Sequence, residues 1–264
     1  MYNFAYHRPS SLADAASALK GAGDGQLLAG GQTLIPTLKQ RLAHPTDLID
    51  LGGIGELDGI KTLGGRIEIG ATTSHADVAG SADVRKAIPA LAQLAASIGD
   101  AQVRNRGTIG GSIANNDPAA DYPAAVLGLG ATVHTNEREI AADNFFTGLF
   151  ETALKDGEII TKVSFPLPES AGYAKFPNPA SRYAVVGVMA VKTGSGARVA
   201  VTGAGACVFR ASELERALGA DFSATALDGA SVSAEGLNSD LHASAEYRAH
   251  LVVVMARRAV DSAS

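Results

Sequence analysis

The sequence predicts an α+β protein of three successive domains. Strand and helix patterns alternate through the N-terminal part, which is typical of a small parallel α/β unit. From Gly59 onward the pattern changes to a hairpin and apolar helices. After Pro166 and Pro168, which cannot continue a strand ladder, further strands precede a helical C-terminal part. The predicted domains are residues 1–56, 57–168 and 169–264.

The first domain is predicted from short apolar runs and helix-boundary signals. The first helix begins at Ser10 or Ser11, which are good N-cap residues, and ends at Gly21. A second helix is predicted at 34–42, with Pro36 tolerated in its first turn. Strands are expected at 4–7, 26–29 and 47–51.

The second and third domains follow from the same signals. Alternating apolar and polar residues around Gly64 and Gly65 predict a β-hairpin, which opens the second domain. The third domain is predicted to contain a three-stranded antiparallel sheet with helices. Helices of the second domain are expected at 76–84, 88–98 and 122–129, and its later strands at 131–135 and 158–165. Strands of the third domain are expected at 172–176, 185–192 and 199–203, and its helices at 212–218, 224–234 and 243–263.

Composition limits the classes of protein to which the chain can belong. With 264 residues, of which 46% are hydrophobic, the chain can bury a substantial core. Its net charge of −5 argues against a nucleic-acid-binding surface. No apolar run is long enough to span a bilayer, and the N-terminal residues lack the apolar core of a signal peptide. We therefore expect a cytoplasmic protein without a membrane span.

Several cofactor and catalytic motifs are absent. The single cysteine, Cys207, excludes an internal disulfide and any iron–sulfur cluster held by this chain alone, since such clusters take about four thiolates. The six histidines show no zinc-binding spacing and are expected to be structural or exposed, so no metal site is predicted. The dinucleotide fingerprint Gly-x-Gly-x-x-Gly, the P-loop and the Gly-x-Ser-x-Gly elbow are also missing.

Two glycine-rich segments carry the functional signal. Residues 104–123 contain Gly107, Gly110 and Gly111, where the missing Cβ atoms allow backbone N–H groups to approach an anion or a flat ring. Residues 28–36 place a second glycine turn before a predicted helix, where open N–H groups favour a phosphate. The two turns could hold the two ends of one extended anionic cofactor. For an isolated glycine pair the alternative is a plain surface turn.

Three ordered segments resemble the FAD-binding medium subunits of molybdenum hydroxylases, the family of carbon monoxide and xanthine dehydrogenases. The segments are Ala-Gly-Gly-Gln-Thr-Leu-Ile-Pro from Ala29, Ile-Gly-Ala-Thr-Thr from Ile69, and Val-Arg-Asn-Arg-Gly-Thr-Ile-Gly-Gly-Ser-Ile-Ala-Asn-Asn-Asp-Pro-Ala-Ala-Asp from Val103. The resemblance runs from Phe4 to the last predicted helix. It implies the FAD-binding fold shared with vanillyl-alcohol oxidase and PCMH-like flavoproteins, in which a two-part FAD domain precedes a C-terminal α+β domain.

The resemblance also implies roles for individual segments. The backbone of residues 28–35 is expected to wrap the FAD pyrophosphate, and residues 107–115 to lie along the flavin and ribityl side. Asp121 is expected to hydrogen-bond the cofactor, with a helix N-cap as the alternative role. Tyr183 matches an aromatic residue that stacks beside the isoalloxazine, although residues 177–182 depart from the family pattern.

No catalytic residue is predicted. The cofactor-binding residues that the resemblance implies are Leu28, Ala29, Gly30, Gly31, Gln32, Thr33, Leu34, Ile98, Gly99, Gly107, Thr108, Ile109, Gly110, Gly111, Ser112, Ala114, Asn115, Asp121, Ile160, Lys175 and Tyr183.

The function implied by the resemblance is electron transfer within a heteromeric oxidoreductase. The chain would bind FAD and pass electrons from a partner's [2Fe-2S] clusters to an external electron acceptor. The expected partners are a large subunit with the molybdenum cofactor and a small iron–sulfur subunit, in a dimer of heterotrimers. Two alternatives remain: a self-sufficient flavin oxidase, which would need a general base beside the flavin, and a non-catalytic anion-binding module.

Overall fold

The computed structural model describes residues 1–264, which form a mixed helix and strand fold as the sequence predicts. The N-terminal elements are β1 (Ala5–His7), α1 (Leu12–Gly21), β2 (Gly25–Leu28), α2 (Leu34–Lys39) and β3 (Asp47–Asp50). The three strands form a parallel sheet in the order β1-β3-β2. The predicted N-cap of α1 is confirmed, because the Ser11 side chain accepts a hydrogen bond from the Asp14 N–H.

The second sheet is antiparallel and has five strands. Its strands and those of a short ribbon are β4 (Ile60–Leu63), β5 (Arg66–Gly70), β6 (Thr132–Thr135), β7 (Glu139–Ala141), β8 (Phe146–Gly148), β9 (Glu151–Thr152) and β10 (Ile160–Pro166). The sheet order is β4-β5-β10-β6-β7, and β8 pairs with β9 alone. Gly64 and Gly65 make the predicted hairpin turn with φ angles of +55° and +79°, which favour glycine.

Six helices lie between β5 and β6. They are α3 (His75–Gly80), α4 (Ala82–Ala87), α5 (Pro89–Ala96), α6 (Ala101–Arg104), α7 (Ile109–Asn115) and α8 (Tyr122–Gly128). The predicted continuous helix at 76–84 is wrong, because Ser81 adopts an extended conformation and caps α4 through the Val84 N–H. The glycine segment is also more regular than a turn: the Thr108 side chain caps α7 through the Gly111 N–H, 3.1 Å away.

The C-terminal sheet is antiparallel. Its elements are β11 (Ser170–Pro177), β12 (Ala184–Thr193), β13 (Gly196–Thr202), β14 (Phe209–Arg210), α9 (Ser212–Ala220) and α10 (Ala245–Asp261), and the strands pair in chain order. The predicted three strands are therefore joined by a fourth, whose two residues are too few to give an alternating pattern. The predicted helix at 224–234 is wrong. Only a 3₁₀ turn, Ala224–Leu227, forms there, and Gly229 turns the chain away with a φ of +76°.

Strand β12 joins two hydrophobic cores. Met189 and Val191 pack into the larger core with α8, whereas Val188 and Ala190 pack with α9 and α10 on the other face. This alternation explains why β12 is almost continuously apolar, since both of its faces are covered. Because the larger core continues across residue 168, the division into domains 1–56, 57–168 and 169–264 stays a prediction.

A third, smaller core fixes the N-terminal unit in place. Ala15 and Ile49 of that unit pack with Leu57 and with Ile159, which directly precedes β10. The parallel sheet is thereby held against the second sheet. The carboxyl end of β2 consequently faces the segments around α6 and α7.

Candidate functional site

A cavity of about 860 Å³ lies between the N-terminal unit and the helices that follow β5. Residues 28–34 form one wall beside the carboxyl end of β2, and parts of α7 with the preceding turn form another. Such a volume lies within the ~300–1,000 Å³ typical of small-molecule sites. The carboxyl end of a parallel strand is also the usual place for a ligand in α/β units.

The first glycine turn offers unused hydrogen-bond donors. The backbone N–H groups of residues 29–34 donate to no protein atom. Gly31 turns the chain with a φ of +69°, and Thr33 places no side-chain cap on α2. Consecutive open N–H groups in such a turn form a concave site for an anion. This wall of the cavity therefore suits a phosphate.

The second glycine segment uses its donors internally. Gly107, Ile109 and Gly110 donate their N–H groups to the carbonyls of Val103, Thr73 and Ala71, respectively. The Gly111 and Ser112 N–H groups bond to Thr108. These bonds fasten α7 to the segment that follows β5. The glycines here provide close backbone approach, and the open donors are concentrated in the first turn.

The two glycine turns touch each other. A Cβ built on Gly30 would overlap the carbonyl oxygen of Arg106 and lie 2.7 Å from the Gly107 Cα. A Cβ on Gly110 would similarly lie 2.6 Å from the Ala71 oxygen. Real Cβ contacts are not that short, so glycine is required at both positions. The turns thus form one continuous backbone surface rather than two separated ends of a site.

Asp121 lies at the cavity wall but is engaged inside the protein. Its Oδ1 accepts a hydrogen bond of 2.5 Å from the Tyr173 hydroxyl, and its Oδ2 accepts one of 3.1 Å from Lys175 Nζ. Its side chain makes no N-cap bond to α8. Burial raises the pKa of the Asp121 carboxyl, while the Lys175 ammonium and the Tyr173 hydroxyl oppose that effect. The expected helix-cap alternative is therefore wrong.

All but two of the sequence-predicted site residues line the cavity. Ile109 is fully buried in the larger core, and Lys175 lies behind the wall, where its Nζ also donates to the Ser97 carbonyl at 2.9 Å. Lys175 can therefore act on the cavity through Asp121, not by direct contact. Ile98 and Ile160 contribute apolar surface, which suits a flat ring.

Tyr183 lies at the cavity, 46% exposed, on a loop that is held by hydrogen bonds. The Asn178 N–H donates to the Tyr183 carbonyl at 2.8 Å, which closes the loop on itself. Arg182 has a φ of +64°, and its Nη1 donates to the Gly99 carbonyl at 3.2 Å. These contacts fix the loop against Gly99 and keep Tyr183 at the cavity, although the loop sequence departs from the expected pattern.

The sequence-based prediction missed His75, which also lines the cavity. Its ring packs against Tyr122 with a centroid distance of 5.3 Å, and its side chain is almost fully buried. Burial lowers the pKa of His75 to about 4, and the Arg104 guanidinium adds to this effect. The signal available in the sequence was Ser74, a good N-cap residue directly after the Ile-Gly-Ala-Thr-Thr segment, which makes His75 the first residue of a helix.

Glu158 is a second missed residue at the cavity. It accepts hydrogen bonds from Arg138 Nε at 2.7 Å and from the Lys155 N–H at 2.7 Å. The Arg138 guanidinium is the main reason why the pKa of Glu158 falls to about 2, and the Lys155 and Thr135 bonds add to it. This cluster fixes the chain that leads into Ile160. Its side-chain partners, Arg138 and Thr135, are twenty or more residues away, so no local pattern indicated the cluster.

The residues present fit FAD. Open backbone donors in residues 29–34 suit the pyrophosphate, and the apolar residues Ile98 and Ile160 with Tyr183 suit the ring system. Gly30 lets the two glycine turns pack against each other, so that both contribute backbone to one cavity wall. No group of three or more His, Cys, Asp or Glu side chains is arranged to hold a metal ion. No helix is both long and apolar enough to cross a membrane.

Comparison with known protein families gives two adjoining matches. The family described as the FAD binding domain in molybdopterin dehydrogenase matches residues 2–168. The family described as the CO dehydrogenase flavoprotein C-terminal domain matches residues 171–263. Together they account for almost the whole chain.

Individual relatives match over nearly their full length. The chain is 38% identical to the carbon monoxide dehydrogenase medium chain of Afipia carboxidovorans, covering 99% of this chain and 96% of the relative. It is 36% identical to the nicotine 6-hydroxylase medium subunit of Paenarthrobacter nicotinovorans, covering 98% and 96%. Among solved structures, carbon monoxide dehydrogenase from Hydrogenophaga pseudoflava, in a form lacking the Mo-pyranopterin moiety, matches with a TM-score of 0.89, 34% identity and coverage of 99% and 97%.

Proposed function

Because the chain belongs to the family of FAD-binding medium subunits of molybdenum hydroxylases, we propose that its cavity binds FAD for electron transfer within a multi-subunit dehydrogenase. The observation that carries the proposal is the run of open N–H groups at residues 29–34, on the wall of a cavity of suitable size. These neutral donors would hold the pyrophosphate.

The other cavity residues would orient the cofactor. Ile98, Ile160 and Tyr183 supply the apolar and aromatic surface, and the Gly107–Gly111 backbone provides close approach. Residues Thr108, Ser112, Ala114 and Asn115 of the second segment complete that wall. The ion pair of Asp121 and Lys175 would place charged groups behind this wall of the cavity. The carboxylates of Asp121 and Glu158 are engaged in ion pairs with Lys175 and Arg138, so proton abstraction from an organic substrate is not part of the proposal.

The wider assembly is also a proposal. When bound, FAD would supply the redox chemistry that relays electrons from [2Fe-2S] clusters of a small subunit to an external acceptor. A large subunit would carry the molybdenum cofactor and select the substrate, and two heterotrimers would form the complex. Support comes from the medium-chain relatives and from the single Cys207, which cannot ligate a cluster alone. We also propose that the complex works in the cytoplasm.

Binding of FAD is tested by titrating the cofactor-free chain and following the flavin fluorescence. We expect saturable binding of one FAD per chain, and a Gly111→Val variant should lose it. The β-branched side chain would stand on the cavity wall, where a Cβ on Gly111 already approaches Thr108 Oγ1 to 2.9 Å. Gly21→Val is the matched control, since a Cβ there meets nothing within 4 Å. Normal FAD content in Gly111→Val would contradict the site.

Electron transfer is tested with anaerobic absorption spectra. The FAD-loaded chain should be bleached by dithionite but should stay oxidised when candidate organic substrates are added. The assembly reconstituted with its two partner subunits should bleach on addition of substrate. Reduction by an organic substrate without partners would favour a self-sufficient oxidase, and a chain that binds phosphate but no FAD would favour an anion-binding module.

A further inference from the structure

His75 occupies a specific place in the cavity wall. It is the first residue of α3, and its N–H donates to the Gly107 carbonyl at 2.9 Å. Gly107 leaves room for the ring, because a Cβ built there would lie 2.5 Å from His75 Nε2. The Tyr122 ring also packs against the imidazole, with a centroid distance of 5.3 Å. The imidazole is therefore held between the second glycine turn and α8, next to the cavity.

Neither ring nitrogen of His75 has a hydrogen-bond partner in the protein. Nδ1 is inaccessible and bonds to nothing, although the side chain is 5% exposed overall. Nε2 also bonds to no protein atom, but unlike Nδ1 it is not fully buried. It lies over Gly107 at the cavity. Buried polar atoms normally have partners. A ligand atom in the cavity would supply the missing partner for Nε2.

The protonation state of the His75 imidazole follows from its surroundings. A neutral imidazole has one N–H donor and one bare nitrogen. Burial and the positive charge of Arg104 both disfavour the doubly protonated ring. An orphaned buried N–H is rarer than an unpaired acceptor, so the proton belongs on Nε2, which faces the cavity. The side chain is thus a neutral donor.

From this geometry we infer that His75 is a cofactor-binding residue, whose Nε2–H donates a hydrogen bond to FAD from the wall next to Gly107. This inference rests on the proposed function, since it needs FAD in the cavity. It adds an imidazole donor beside the second glycine segment to the open backbone donors of residues 29–34. It also explains why a polar ring with no protein partner is kept between Gly107 and Tyr122.

The test compares three variants of the full chain by FAD titration. His75→Leu removes the donor, His75→Gln places an amide N–H near the position of Nε2, and His250→Leu changes an exposed histidine outside the cavity. We expect His75→Leu to raise the FAD dissociation constant about tenfold. His75→Gln should recover most of the affinity, and His250→Leu should match the wild type.

A second readout separates binding from a structural role. Without FAD, the unfolding midpoint of His75→Leu should be at least that of the wild type, because the substitution removes a buried polar atom without a partner. Unchanged FAD affinity in His75→Leu overturns the inference. The inference is also overturned if His75→Leu is less stable than the wild type without FAD and His75→Gln does not recover the FAD affinity. If the wild type itself binds no FAD, the proposed function fails instead.

One measurement needs no substitution. In the wild-type chain with ¹⁵N-labelled histidine, the Nε2 resonance of His75 should move when FAD is added, and the His250 resonance should not. An unmoved Nε2 resonance at FAD saturation would overturn the inference even if the Leu variant did not fold.

Discussion

At the scale of residues, Asp121 and Lys175 form a buried pair beside the cavity, 3.0 Å apart, with side chains only 5% and 9% exposed. Breaking such a pair from one side leaves an uncompensated charge inside the protein. We expect Asp121→Asn to lower the free energy of unfolding by about 3–5 kcal/mol, measured by urea denaturation of the cofactor-free chain.

The double variant Asp121→Asn/Lys175→Met serves as the control for this prediction. It removes both charges, so most of the lost stability should return, and the Tyr173 hydroxyl can still donate to the amide oxygen of the substituted side chain. A direct role of Asp121 in cofactor binding predicts a different result. In that case FAD affinity would fall in the single variant while the free energy of unfolding stayed the same.

The low pKa of His75 predicts a specific dependence of stability on pH. Its pKa is about 4 in the folded chain, against 6.5 for the ordinary residue, so the unfolded chain binds the proton more readily. The contribution of neutral His75 to the free energy of unfolding is therefore fully present above pH 6.5. It is lost as the pH falls toward 4, by up to about 3 kcal/mol. The charged and titratable neighbours of the His75 ring are the Arg104 guanidinium and the Tyr122 hydroxyl, and burial raises the pKa of Tyr122.

Urea denaturation between pH 4 and pH 7 checks this expectation. The wild type should lose more stability on acidification than His75→Gln, because glutamine binds no proton in this range. The comparison is needed because burial raises the pKa of Asp121, which acts in the opposite direction as the pH falls. Identical slopes for the two proteins would show that His75 titrates normally in the folded chain.

At the scale of elements, the contact between the two glycine turns predicts an effect of a single methyl group. Gly30→Ala would place a Cβ against the Arg106 backbone, which cannot move aside as a flexible side chain can. The turns must then separate. We expect at least a tenfold loss of FAD affinity, since about 1.4 kcal/mol suffices for that factor. Isothermal titration calorimetry measures the affinity.

Gly80→Ala is the control for Gly30→Ala, because a Cβ on Gly80 meets nothing within 4 Å. Its FAD affinity should equal that of the wild type. If Gly30→Ala also binds FAD normally, the direct contact between the turns has no part in shaping the site.

The elements that the sequence predicted well are those with strong local signals. The N-cap at Ser11 and the hairpin at Gly64 and Gly65 depend on nearby residues, and the structure contains both. The helix predicted at 224–234 failed because apolar periodicity continued through Gly229, whose backbone conformation a pattern does not reveal. The fourth C-terminal strand was missed because a two-residue strand is defined by its partner, β13, and not by its own sequence.

For the site, too, the sequence predicted the features that depend on neighbouring residues and missed those that depend on distant ones. The glycine motifs located most of the cavity wall, because glycine turns are recognisable from local sequence. The partners of Asp121 come from β11, more than fifty residues later, so neither its ion pair nor the indirect position of Lys175 was predictable. The sequence also could not predict which backbone N–H groups are used inside the protein and which stay open. Only the fold shows that α7 commits its N–H groups to Thr73 and Ala71, while the first turn keeps its own open.

At the scale of the whole molecule, the shared core predicts how the chain unfolds. Every residue of α8 is buried, and a Cβ on Gly128 would lie 2.8 Å from the Met189 side chain of β12. Removing residues 169–264 would expose this helix to water. We expect a 1–168 fragment to lack cooperative thermal unfolding and near-ultraviolet circular dichroism, whereas the full chain should unfold in one transition.

The FAD content of the 1–168 fragment and the calorimetry of the full chain complete this test. If the 1–168 fragment unfolds cooperatively and retains FAD, the boundary near residue 168 separates autonomous folding units. Two calorimetric transitions in the full chain would lead to the same conclusion. A disordered fragment with a single transition in the full chain would show that the C-terminal sheet is needed for the first two units to fold.

The open N–H groups of residues 29–34 have a consequence for the life of the chain after synthesis. A ligand that binds only the folded form adds about 2.7 kcal/mol of stability at a hundredfold excess over its dissociation constant. Under the proposed function, a freshly made chain lacks that contribution until it meets FAD. Partial opening would then expose it to cellular proteases more often than the loaded form. The flavin supply would thereby set how many copies survive to be assembled.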